Sequence, residues 1–114
     1  MSVAFNGFNE KTLTFKTSET LEKGTPVSIT SNGKVGKASA GAAFVGIAMS
    51  QRDDLVEVQM YGYVKSAYTS TAPSLGAVAL GANGTGGVKT VSSGGTSCIV
   101  LSVDETASTV EYII

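Results

Sequence analysis

The stretch Val45-Gly46-Ile47-Ala48-Met49-Ser50-Gln51-Arg52-Asp53-Asp54-Leu55-Val56-Glu57-Val58-Gln59-Met60 decides the fold class. It holds two runs in which apolar residues alternate with small or polar ones, separated by the polar turn Arg52-Asp53-Asp54. A period of two is that of a strand with one face turned to a core. Run, polar turn and run together predict an antiparallel hairpin with Val45, Ile47, Val56 and Val58 inside. The same order returns downstream as Ile99-Val100-Leu101-Ser102-Val103, then Asp104-Glu105-Thr106-Ala107-Ser108, then Val110-Glu111-Tyr112. Both alternating runs are displaced by 54 residues (45 to 99, 56 to 110), and Ile99, Leu101 and Val110 join the expected core.

Upstream of each hairpin the repeat continues. Val27-Ser28-Ile29 corresponds to Val78-Ala79-Leu80, and Asn32-Gly33 to Asn83-Gly84, both displaced by 51 residues (27 to 78, 32 to 83). Asn-Gly suits a tight hairpin turn, because both residues tolerate a positive φ. The displacement grows between these anchors because the second copy carries extra glycines near Gly86 and Gly94. No window keeps apolar side chains at helical spacing without a Gly, Pro or Ser/Thr interruption. The pattern therefore predicts an all-β protein, a small barrel or sandwich, built from two pseudo-repeated units. Residues 21–60 form the first unit, 61–72 a connection and 73–114 the second. Residues 1–20 form an N-terminal arm and a first strand. Neither unit can cover its own apolar face alone, so the two are expected to pack as one body.

Outside the repeats lie the aromatic side chains expected to meet partners. Phe5 and Phe8, set among Asn6, Gly7 and Asn9, have weak claims on an internal core. Phe15, in Thr12-Leu13-Thr14-Phe15, alternates like a strand and is expected in the body. Tyr61, Tyr63 and Tyr68 cluster on the connection and are candidate contact residues, since tyrosine is favoured at interface hot spots.

The composition excludes most chemistry. The 114 residues contain no His, so neither a Ser-His-Asp arrangement nor a Cys/His zinc site of the usual kinds can be built. The one cysteine, Cys98, sits in an apolar strand and reads as a small buried hydrophobe. The acidic pairs Asp53-Asp54 and Asp104-Glu105 occupy matching turns, which marks them as solvated turns and not as an acid/base pair. The glycine-rich stretch around Gly84 lacks the Gly-Lys-Ser/Thr ending of a phosphate-binding loop. A net charge of −1 and scattered lysines offer no field for nucleic acid or anionic lipid. No apolar run reaches the length of a transmembrane helix, and the N-terminus does not read as a signal peptide. The chain is thus expected to be a non-enzymatic, soluble protein made in the cytoplasm, with no catalytic residues, metal or cofactor.

The order Leu21-x-x-Gly24-x-x-Val27, Asn32-Gly33-Lys34-Val35, Phe44-Val45-Gly46-Ile47-Ala48 and Val56-Glu57-Val58 resembles the capsid decoration, or cement, proteins of tailed bacteriophages. Gly62-Tyr63-Val64, Ala72-Pro73-Ser74-Leu75-Gly76, Asn83-Gly84-Thr85-Gly86-Gly87-Val88-Lys89 and Val100-Leu101-Ser102-Val103-Asp104 resemble the related head-fibre proteins. The resemblance runs from about Phe8 to the C-terminus. It implies a small barrel or β-tulip-like sandwich on the outer surface of the virion capsid. It also implies the major capsid protein as partner, self-association as a homotrimer, and no nucleic-acid or membrane partner. Two other readings stand beside it: a tail or baseplate structural protein, and a carbohydrate-binding β-module using Tyr61, Tyr63, Tyr68 and Tyr112 as its platform.

Overall fold

The structure, a computed structural model, describes residues 11–114. Ten strands follow one another without a helix among them: β1 (Lys11–Lys16), β2 (Pro26–Ser31), β3 (Lys34–Lys37), β4 (Gly46–Arg52), β5 (Leu55–Tyr61), β6 (Tyr63–Ala67), β7 (Gly76–Ala82), β8 (Val88–Thr90), β9 (Thr96–Asp104) and β10 (Thr109–Ile113). The first five form a closed barrel in the order β1-β3-β2-β4-β5, and the last five form a sheet in the order β6-β10-β9-β7-β8.

These two orders are the same order. Exchanging β1 for β6, β2 for β7, β3 for β8, β4 for β9 and β5 for β10 turns one sheet into the other. The first barrel closes through one parallel pairing, Lys16 with Lys34. In the second half a single parallel bridge, Tyr68 with Val88, joins the outer strands at the corresponding place. The repeated unit therefore includes β1 and β6, which the sequence pattern assigned to the N-terminal segment and to the connection. Leu13-Thr14-Phe15 and Val64-Lys65-Ser66 hold equivalent register positions without sharing a residue type.

Strand register fixes the correspondence. Ala48 opposes Val58, and Val100 opposes Tyr112; Ile47 opposes Gln59, and Ile99 opposes Ile113. Both ladders then slip by one residue, at Met49 in β4 and at Leu101 in β9. A β-bulge thus recurs at the same place in both copies, and bulges bend and twist a strand enough to help close a small barrel. The displacement from β4 to β9 is accordingly 52 residues (47 to 99), not the 54 of the apolar pattern. The displacement of 54 holds from β5 to β10 (58 to 112), and that of 51 holds from β2 to β7, since Pro26 pairs with Ile47 as Ala77 pairs with Ile99.

The bulge and the narrow bore correct part of the expected core. Val56 and Val58 are buried inside the first barrel, and Val110 in the core of the second sheet, as expected. On β4, however, the inward positions belong to Gly46 and Ala48, and on β9 to Cys98 and Val100, all buried. A five-stranded barrel leaves little room inside: a Cβ on Gly46 would lie 2.5 Å from both the Val58 side chain and the Gln59 carbonyl oxygen. Val45 is consequently exposed, Leu101 is half-buried on the bulge, and Ile99 points outward with 52 % of its surface in water. Ile47 also points out of its own barrel, yet is only 2 % exposed, because the second half covers it.

Two apolar clusters follow. One fills the first barrel with Leu21, Val27, Val35, Ala48, Val56 and Val58, with Phe15 and Met60 packed against it. The other holds Val64, Tyr68, Leu80, Ala82, Val88, Cys98, Val100, Val110 and Tyr112 of the second half together with Ala38, Phe44 and Ile47 of the first. The first half thus seals the second half's core. Polar bonds fix the joint. The Phe44 N–H donates to Thr96 Oγ1 (2.9 Å), whose hydroxyl donates to the Phe44 carbonyl (2.7 Å). Gly41 N–H bonds the Ala82 carbonyl, and Ala82 N–H bonds the Ala42 carbonyl. Buried Gln59 donates from Nε2 to the Tyr63 carbonyl across the same boundary.

The turns carry the local chemistry expected of them, with one exception. Gly33 takes φ +70° in the two-residue turn between Ser31 and Lys34, where a side chain would be strained. Asn83-Gly84 is not a two-residue turn: the loop runs from 83 to 87. Asn83 Oδ1 accepts the N–H groups of Thr85 and Gly87, which organises the longer loop from one side chain.

Candidate contact surfaces

The three candidate tyrosines part company in the structure. Tyr68 is buried in the second half's core at the bridge to Val88, so it is a core residue and not a contact residue. Its place beside the strand that closes the sheet is the physical reason. Tyr63 is half-buried at the start of β6, and its hydroxyl donates to Glu111 Oε2. Desolvation, reinforced by that carboxylate, pushes its pKa up to about 12. Tyr61, at the end of β5 opposite Lys11, leaves 44 % of its surface in water. Phe5 and Phe8 lie outside the described residues, but the chain that carries them joins β1 beside Tyr61. Tyr61 and Tyr63 thus keep part of their surface in water at the junction of β5 and β6.

Tyr112, the fourth tyrosine, is fully buried, and its hydroxyl shares a 2.9 Å hydrogen bond with Ser66 Oγ inside the second half. Burial raises its pKa far above the ordinary phenol value. Burial also pushes the Cys98 thiol up to about 12, which keeps it neutral and unreactive at physiological pH. No buried side-chain polar atom among the described residues lacks a hydrogen-bond partner. The acidic turns Asp53-Asp54 and Asp104-Glu105 connect equivalent strand pairs, β4 to β5 and β9 to β10, and stand in solvent. Among the described residues no group of three His, Cys, Asp or Glu side chains could hold a metal ion.

The sequence pattern missed a surface on the second half. Tyr63 pairs with Ile113, Ile113 with Ile99 and Ile99 with Ala77. Directly paired residues share a face, so these four side chains form one outward row across β6, β10, β9 and β7, about 14 Å long at the usual strand spacing. Leu75, just before β7, is 69 % exposed beside it and lines a shallow hollow with Pro73, Leu101 and Val103. The signal was present in the sequence as Ile99 and Ile113, but it was read as core because apolar alternation does not say which face is covered. The first half exposes Leu13 (57 %) and Ile29 (54 %), although both occupy inward positions of their strands. Two further hollows, beside Thr20 and Lys37 and beside Ser50 and Arg52, are open and carry no concentrated charge.

Comparison of the chain with protein-family models and with curated proteins finds no match in either.

Proposed function

We propose that the chain is a structural virion protein that binds the outer surface of a phage head and stabilises the lattice of its major capsid protein. The observation that carries the reading is the architecture: a small closed barrel and a second five-stranded sheet with satisfied, packed interiors, which share one apolar cluster and leave a few large apolar side chains such as Leu13, Ile29, Leu75 and Ile99 at the outside. A decoration protein requires such a body, stiff enough to bridge capsid subunits and adhesive at its edges. The resemblance of the motif order to decoration and head-fibre proteins points the same way. Many copies on a repeating lattice turn a modest contact into durable attachment. In this reading the N-terminal segment with Phe5 and Phe8, together with Tyr61 at its junction with β1, meets the capsid protein. The homotrimer implied by the resemblance belongs to the same proposal.

The carbohydrate-binding alternative loses ground on a specific point: Tyr68 and Tyr112 are buried, so a platform of four tyrosines is reduced to Tyr61 and Tyr63. A tail or baseplate role uses the same physical properties, and no observation favours it over the head.

The test is co-sedimentation of the purified protein with phage heads that lack decoration. The reading expects saturable pelleting and heads that survive higher temperature. Protein that stays in the supernatant at every ratio, with head stability unchanged, would overturn it. Loss of pelleting on deletion of residues 2–9, with the fold retained, would place the attachment in the N-terminal segment.

A further inference from the structure

The joint between the two halves has two sides, and each side exists twice in the molecule. The first side is the outward face of the first barrel, centred on Pro26, Ile47 and Gln59, which pair in one row. All three are buried, and Ile47 belongs to the second half's core cluster. The second side is the open end of the second half's core, where Val64 and Leu80 lie buried in the cluster that Phe44 and Ile47 complete. Strand register gives each position its counterpart in the other half. Pro26, Ile47 and Gln59 correspond to Ala77, Ile99 and Ile113. Val64 corresponds to Leu13, because Val64 opposes Tyr112 as Leu13 opposes Val58. Leu80 corresponds to Ile29, three residues beyond Ala77 as Ile29 is three beyond Pro26.

Inside the chain the face of half one meets the open end of half two. Among the described residues, that leaves the open end of half one and the face of half two without a counterpart. The exposures follow this division. The four most exposed large hydrophobic side chains among the described residues are Leu75 at 69 %, Leu13 at 57 %, Ile29 at 54 % and Ile99 at 52 %. Leu75 and Ile99 lie on the face of half two. Leu13 and Ile29 lie at the open end of half one. The equivalents of three of them are accounted for by the internal joint: Ile47 for Ile99, Val64 for Leu13 and Leu80 for Ile29.

We propose that a second copy of this chain occupies these surfaces, head to tail, so that Leu75 and Ile99 of one copy meet Leu13 and Ile29 of the next in a repeat of the joint already built between the halves. Such a contact is heterologous: two different surfaces meet, and each copy retains one of each. Heterologous contacts close into rings or run on as fibres, according to the rotation each joint imposes. The copy-to-copy joint lacks the Phe44 plug, since Thr96 stands at the corresponding position of half two. It is therefore weaker than the internal joint and depends on concentration. The proposal does not rest on the capsid reading, because it concerns the free protein.

The test uses the full chain in analytical ultracentrifugation, without phage heads, from low micromolar to submillimolar concentration. Wild type is expected to sediment at multiples of the single-chain mass, increasing with concentration. Leu75→Asp/Ile99→Asp alone and Leu13→Asp/Ile29→Asp alone are expected to stay monomeric, since all four changes lie at exposed positions. Each variant keeps the surface that the other lacks, so an equimolar mixture should form a 1:1 dimer and nothing larger. Ile99→Asp by itself should weaken wild-type association in the same direction, as a check against a folding defect in the double variants. A mixture that remains monomeric while wild type associates overturns the proposal. So does association that survives either double variant. A wild type that is monomeric throughout overturns it as well, and conversion of that monomer to an associating form by deletion of residues 2–9 would make the chain's own N-terminus the occupant.

Discussion

The two halves share strand order, bulge position and closing bridge, yet they are stabilised differently. The first barrel draws its cluster entirely from its own residues. The second borrows Ala38, Phe44 and Ile47 from its neighbour. Their interiors also divide volume differently. Where half one places Phe15 on β1 opposite Val56 and Val58 opposite Leu13, half two places Ser66 and Tyr112 at the equivalent positions. The large aromatic side chain has moved from one strand to another while the bore stays filled. It brings a hydroxyl that must be satisfied, and Ser66 satisfies it. The difference teaches that barrel topology here is set by bulge and register, and that the identity of the core residues follows from what each bore must hold.

Breaking the asymmetry at its centre should have the largest effect. Phe44→Ala removes the buried ring that seals the second half and should cost about 3–5 kcal/mol. The loss should appear in urea unfolding as a lower midpoint, with amide exchange rising in β6–β10 before β1–β5. An equivalent pair sharpens the comparison. Leu80→Ala, at a fully buried position, should cost about 2–5 kcal/mol, whereas Ile29→Ala, its exposed counterpart, should change stability by no more than about 0.5 kcal/mol in the monomer. Equal losses at the two sites would contradict the correspondence. Gly46→Ala should cost about 1–3 kcal/mol by overpacking, because its Cβ would meet the backbone carbonyl of Gln59, which cannot move aside.

The smallest effect is a pH dependence confined to alkaline solution. The folded pKa of Cys98 is raised from 9.0 to about 12 and that of Tyr63 from 10.0 to about 12, each because burial disfavours the anion. A raised pKa means that the folded state holds its proton more tightly than the unfolded state does. Stability from these groups is therefore fully present below about pH 9 and declines as pH rises towards 12. Cys98→Ala should move the onset of that decline from near 9 to near 10 in a pH series of thermal melts. The decline starting at the same pH in both proteins would show that Cys98 takes no part.

Much of this fold was legible in the sequence, and the failures have physical causes. The hairpin of β5 with its neighbour and the inward Val56, Val58 and Val110 could be read directly, because the one irregularity on β5, at Met60 opposite the start of β1, lies beyond both valines and none interrupts the start of β10. The inward face of β4 could not. Its interior positions are Gly46 and Ala48, residues that a hydrophobic pattern passes over, while the more apolar Ile47 serves the joint between halves. The bulges at Met49 and Leu101 then reverse the phase, which made a displacement of 54 look correct where 52 holds. β1 and β6 escaped the repeat because compensating changes at Phe15 and Ser66 erased their likeness. Of the candidate contacts, the exposure of Tyr61 could be read from its place at a strand end. Tyr68 could not, since only the bridge to Val88 shows that the connection turns inward there. The exposed row through Ile99 and Ile113 needed the register itself, because alternation alone cannot distinguish a face covered by the other half from one left in water.

The most direct test of the account is reconstruction by electron microscopy of undecorated phage heads incubated with the purified protein. The account predicts additional density on the outer surface, at symmetric positions between major capsid protein subunits, into which the body of barrel and sheet fits with the Tyr61 end towards the capsid. Heads that remain bare at saturating protein, or density found only on tails, would contradict it.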